Sequence, residues 1–84
     1  MLFAAVDIGS NASRLLFSHV YEHNGKLSLA KASLVRIPTR LGKDVFTLGR
    51  ISDERLDKLT RTMRAYKMLI DVYEPTGLSI CATA

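Results

Sequence analysis

At 84 residues the chain can form one small domain and no more. Hydrophobic residues make up 48% of it, which excludes a disordered composition. Its formal net charge of +4 suits polyanionic partners, yet no run of like charge and no basic stripe interleaved with aromatics marks a specific nucleic-acid interface.

Cys81 is the single cysteine, so a disulfide framework and a cysteine-based zinc site are excluded and a reducing compartment is expected. Set in an apolar segment, it reads as a small buried hydrophobe. The apolar run at residues 2–6 has no basic segment before it and ends at Asp7, so no signal peptide is expected. No apolar run approaches the ~18 residues that a membrane span needs. These features predict a cytoplasmic protein with no membrane partner.

In chain order, residues 2–6 predict a short strand covered on both faces. Asp7, Ile8, Gly9, Ser10 and Asn11 then form a cluster of turn residues. Residues 14–21 read as a second strand and residues 27–37 as a third. Asn24-Gly25 between them is a strong hairpin signal, because both residues accept positive φ. Pro38 ends the third strand by removing a ladder donor.

Residues 39–50 read as a loop rich in Gly and charge, with Lys43 and Asp44 as a solvated pair. A helix starts at an N-cap on Ser52, with Asp53 and Glu54 at the positive end of its dipole and Ile51 placed to staple onto Leu56. Leu56, Leu59, Met63, Tyr66, Leu69, Ile70 and Tyr73 recur at helical spacing and predict a core-facing stripe. Pro75 and Gly77 are expected to close the helix. Residues 77–84 read as a buried strand. Because domains usually end in exposed polar segments, residues 1–84 are expected to be the N-terminal piece of a longer protein, with no internal boundary.

The order of elements predicts an α/β fold: a three-stranded antiparallel meander, a helical crossover and a strand parallel to the first. This is the opening of a ribonuclease-H-like lobe, here incomplete.

The chemistry concentrates at residues 7–11. Asp7 is a carboxylate leaving an apolar run, where an unpaired charge is costly and is usually held by a metal ion, its water or backbone donors. Gly9 allows a sharp turn and a close approach of backbone to ligand. Ser10 and Asn11 add a hydroxyl and an amide, and the turn's N–H groups can converge on an anion. A turn whose polar side chains satisfy one another is the alternative. His19 and His23 have no carboxylate or cysteine to complete a metal set and read as structural or solvated.

The stretch from Ala4 to Leu16, containing Asp7-Ile8-Gly9-Ser10-Asn11 and Arg14-Leu15, resembles the opening of the exopolyphosphatase / guanosine pentaphosphate phosphatase (Ppx/GppA) family. Arg40-Leu41-Gly42 is similar to that family's Arg-Leu-Gly loop. Leu48-Gly49-Arg50-Ile51-Ser52 is similar to the start of its first long helix, and Ile80-Cys81-Ala82-Thr83-Ala84 to the strand that follows. The resemblance implies an actin-like enzyme of two ribonuclease-H-like lobes that uses water and Mg2+ to cut terminal phosphate from inorganic polyphosphate or guanosine pentaphosphate. Carried over by position, Asp7 sits near the metal or its water, and Gly9, Ser10 and Asn11 form the first phosphate loop. Arg40 neutralises phosphate charge, as a guanidinium can do bidentately. Arg14 either joins it or pairs with a carboxylate. The family's catalytic glutamate and second, Gly-rich phosphate loop lie beyond this sequence, so the chain alone is expected to be inactive. The resemblance also implies a homodimer for the whole enzyme.

Two other readings stay open. An ATP-using actin-like kinase or ATPase also opens on an Asp-x-Gly loop, although Ser10-Asn11 and the Arg40-Leu41-Gly42 loop favour the phosphatase. A non-catalytic polyanion-binding module would use the positive charge without a metal and would weaken strongly with salt.

Overall fold

A computed structural model of the chain describes residues 1–42 and 49–82. Lys43, Asp44 and Leu48, and Thr83 and Ala84 at the end of the predicted last strand, lie outside the described residues. Strand β1 spans Leu2–Ile8, β2 Ser13–His23 and β3 Lys26–Ile37; helix α1 spans Asp53–Tyr73, and strand β4 spans Gly77–Ala82. The sheet order is β3-β2-β1-β4, with β1–β2 and β2–β3 antiparallel and β4 parallel to β1. This is the order expected of the first part of a ribonuclease-H-like lobe.

Local chemistry accounts for each boundary. Asn24 and Gly25 both take positive φ (52° and 76°), the conformation of a two-residue turn that matches strand twist. The Ser52 side chain accepts the Arg55 N–H at 3.3 Å, and Asp53 and Glu54 occupy the first turn of α1. At the other end, Glu74 closes the helix in the left-handed region (φ 50°) and donates its N–H to the Ile70 carbonyl at 2.9 Å. Closure therefore falls before Pro75. Gly77 instead opens β4, where a Cβ would meet the Phe3 ring at 2.7 Å.

The core lies between the sheet and α1. Ala4 and Val6 of β1, Leu15 and Phe17 of β2, and Tyr66 of α1 are buried, with Val35, Ile37, Met63, Leu69 and Ile70 packed around them. Tyr66 is the centre of the helical contribution, at 1% exposure. The predicted stripe is wider than the buried one, since Leu56 (50% exposed) and Tyr73 (41%) stay largely open and Thr62 is buried instead. Thr62 is accommodated because its hydroxyl donates to the Lys58 carbonyl at 2.8 Å.

Two expectations about burial are corrected. Strand β1 is covered on one face only: Ala4 and Val6 are buried while Phe3 and Ala5 are exposed. Strand β4 was expected to be buried, yet it sits at the sheet edge with Ile80 65% exposed and Cys81 exposed as well. The common cause is that α1 is the only helix packed on the sheet among the described residues, and it does not reach across β4. The helix is not long and apolar enough to cross a membrane.

Candidate functional site

The site is built at the β1–β2 turn. The strands run further than their sequence suggests, so Asp7 and Ile8 belong to the β1 ladder rather than to the turn. Gly9 donates its N–H to the Ala12 carbonyl at 3.0 Å, leaving Ser10 and Asn11 exposed at the tip. Asp7 is paired across the strands with Arg14, whose guanidinium lies 3.7 Å from carboxylate Oδ2. The other oxygen, Oδ1, is buried with no hydrogen-bond partner. A buried acceptor left in that state costs about 1–3 kcal/mol, which a cation or a bound water would offset.

The segment after β3 folds back onto this turn. Arg40 donates its backbone N–H to the Asn11 carbonyl at 2.9 Å, and Gly42 donates to the Ser10 carbonyl at 2.8 Å. To make these bonds Arg40 adopts φ 53°, a conformation uncommon outside glycine. Glycine suits position 42, since a Cβ there would stand 3.1 Å from the Ser10 Cβ and press on it. Because both peptides of the turn are trans, carbonyls aimed at residues 40–42 turn the Asn11 and Ala12 N–H groups to the opposite side.

A buried brace supports the arrangement. Ser13 and Thr39 are fully buried with their hydroxyl oxygens 3.5 Å apart, and the Tyr66 hydroxyl donates to the Ser13 carbonyl at 2.9 Å. Burial pushes the Tyr66 phenol above its ordinary pKa. Arg55 Nη1 donates to the Thr39 carbonyl at 3.3 Å and Lys58 Nζ to the Pro38 carbonyl at 3.0 Å. Helix α1 thus clamps residues 38–39 next to the loop that carries Arg40.

The structure brings Asp7, Gly9, Ser10, Asn11, Arg14 and Arg40 to one end of the sheet. Such a loop, with a carboxylate below it and arginines on both sides, can hold an anion at its tip and a cation at its base. No cluster of three or more His, Cys, Asp or Glu side chains that could hold a metal occurs among the described residues.

No family profile matches the chain. Among solved structures it superimposes on the Aquifex aeolicus Ppx/GppA phosphatase, type II variant, with a TM-score of 0.83 and 30% identity, covering 98% of this chain and 26% of that one. The chain has the fold of the first part of the N-terminal lobe of Ppx/GppA structures. A Cytophaga hutchinsonii exopolyphosphatase shares the fold at a TM-score of 0.80 and 20% identity, covering 98% of this chain and 25% of that one. A curated relative, the bifunctional 3-dehydroquinate synthase/phosphatase of Fusobacterium nucleatum, is 29% identical over 73 residues, 86% of this chain and 11% of its own. The chain spans about a quarter of the solved structures that it matches.

Sequence reasoning missed three residues of this region, Ser13, Thr39 and Arg36, and the hydroxyl bond of Tyr66, which it placed in the core-facing stripe. Ser13, Thr39 and Tyr66 form the buried brace, and Arg36 stands directly opposite Arg14 in the β2–β3 ladder. Only Arg36 left a signal, because strand alternation places it on the face of Leu34 and Arg14.

Proposed function

We propose that this chain supplies the first phosphate-binding wall of a phosphohydrolase that releases terminal phosphate from inorganic polyphosphate or guanosine pentaphosphate. The observation that carries the proposal is the docking of Arg40 and Gly42 on the Asn11 and Ser10 carbonyls. It orients the turn and fixes a guanidinium-bearing residue beside it. The likeness to structures of a Ppx/GppA phosphatase and an exopolyphosphatase supports the substrate class.

In this reading Gly9 lets a phosphoryl group approach the backbone, while the Ser10 hydroxyl, the Asn11 amide and the turn's N–H groups bind its oxygens. Arg40 and Arg14 neutralise charge, Arg14 doing so while it holds Asp7 in place. The orphaned Oδ1 of Asp7 fits Mg2+, which typically keeps several waters and takes only one or two carboxylates beside the substrate phosphates. When bound, the ion would supply charge neutralisation of the phosphoryl oxygens. In-line phosphoryl transfer also needs groups on the opposite side of the substrate, so this wall by itself orients rather than catalyses. A homodimer, implied by the resemblance, and a cytoplasmic setting, expected from the single cysteine, belong to the same proposal.

The test is phosphate release by the whole protein that carries this chain, from long-chain polyphosphate and from guanosine pentaphosphate, with and without Mg2+. Magnesium-dependent release from either is expected. Absence of release from both, with metal-independent and strongly salt-sensitive polyanion binding, would instead identify a binding module.

A further inference from the structure

On the face of the sheet opposite α1, the ladder aligns Cys81, Asp7, Arg14 and Arg36 in one row across β4, β1, β2 and β3. Asp7 is partnered by Arg14, but Arg36 is set directly opposite Arg14 as well. Like charges in that relation repel, with Cβ atoms only about 5 Å apart. Among the described residues, Arg36 is in no ion pair with a carboxylate, and neither is Arg40. Both line a groove of about 540 Å³ together with Asn11 and Pro38. The groove lies between the turn residue Asn11 and Arg36 of β3. Two of its four lining residues are arginines, and Asn11 is a neutral amide residue.

Two exposed guanidiniums beside an amide, with no carboxylate assigned to them, make a receptor for a second anionic group adjoining the first. We propose that Arg36 forms a second phosphate subsite beside the first, with Arg40 bridging the two. A ligand bound by the residue 9–11 turn would there be gripped through its neighbouring phosphoryl groups, which selects phosphoanhydride chains over isolated phosphate. The inference rests on the proposed phosphate role of that turn and extends it. Pro38 contributes by fixing the backbone between the two arginines, and the Lys58 bond to its carbonyl holds that backbone in place.

The experiment compares binding of inorganic orthophosphate and tripolyphosphate at constant ionic strength by calorimetry, using the whole protein, its Arg36→Gln variant and a charge-matched Arg64→Gln control on the exposed face of α1. Arg36→Gln is expected to weaken tripolyphosphate binding about tenfold, the loss of one charged phosphate contact, while leaving orthophosphate binding unchanged. Arg64→Gln should leave both unchanged. An Arg36→Gln protein that binds both ligands normally overturns the subsite but not the phosphate loop. Equal weakening of both ligands, or an equal effect of Arg64→Gln, assigns Arg36 to general attraction and also overturns the subsite. Failure of the unsubstituted protein to bind either ligand removes the phosphate-loop reading and this inference together.

Discussion

Gly42 donates its N–H to the Ser10 carbonyl at 2.8 Å, and the Ser10 Cβ would lie 3.1 Å from any Cβ added at residue 42. The hydrogen bond is backbone to backbone, and a Cβ at residue 42 would press on the Ser10 side chain, so the turn would have to give by a few tenths of an ångström. Gly42→Val should therefore destabilise the protein by about 1–3 kcal/mol, the usual cost of overpacking. It should also weaken phosphate binding, because Ser10 must move. Urea unfolding and phosphate titration measure the two effects; unchanged binding would mean that the docking does not position the turn.

Tyr66 links α1 to the first residue of β2 through its bond to the Ser13 carbonyl. Tyr66→Phe leaves that carbonyl unpaired and should cost about 1–3 kcal/mol near neutral pH. The phenol also gives a pH signature. Burial raises its folded pKa above the ordinary value of about 10, so the unfolded chain loses the proton first. The stability it contributes is complete below about pH 10 and is lost as pH rises through the higher folded value. Unfolding measured from neutral to alkaline pH should show the gap between wild type and Tyr66→Phe narrowing above pH ~10; a constant gap would contradict this.

Phe17 is fully buried and stacks on Tyr73 with ring centroids 4.0 Å apart. Its truncation to Ala should cost about 3–5 kcal/mol, a large share of the 5–15 kcal/mol typical of a whole domain. Loss of cooperative unfolding in Phe17→Ala is the expected outcome, with most of the stability retained in Phe17→Leu. A small shift in urea midpoint for Phe17→Ala would place the core elsewhere.

Much of the fold was legible because its signals are local. Asn24-Gly25 carries its own turn geometry, Pro38 ends a ladder by lacking an N–H, and Ser52 caps α1 through a neighbour three residues on. The candidate site was legible to the extent that Asp7 to Asn11 is a contiguous loop. What remained hidden depends on contacts distant in sequence. The buried brace joins Ser13 to the Tyr66 hydroxyl, 53 residues away along the chain, and to Thr39, 26 residues away. The φ of Arg40 is set by its bond to Asn11, and no propensity predicts it for an arginine. Cys81 and Ile80 have the composition of a buried strand, but their exposure is decided by which helices cover the sheet edge.

The most direct test of the account is the rate of Mg2+-dependent phosphate release by the whole protein carrying Asp7→Asn, read beside its melting temperature. The ion pair with Arg14 is about half exposed at 3.7 Å, and such pairs contribute only about 0–1 kcal/mol to stability. The substitution keeps the shape of the side chain while removing the charge that would meet the cation. The account predicts release lowered by about a hundredfold or more with the melting temperature nearly unchanged. Release at close to the wild-type rate would contradict the role assigned to Asp7, and with it the reading of this turn as a metal-assisted phosphate site.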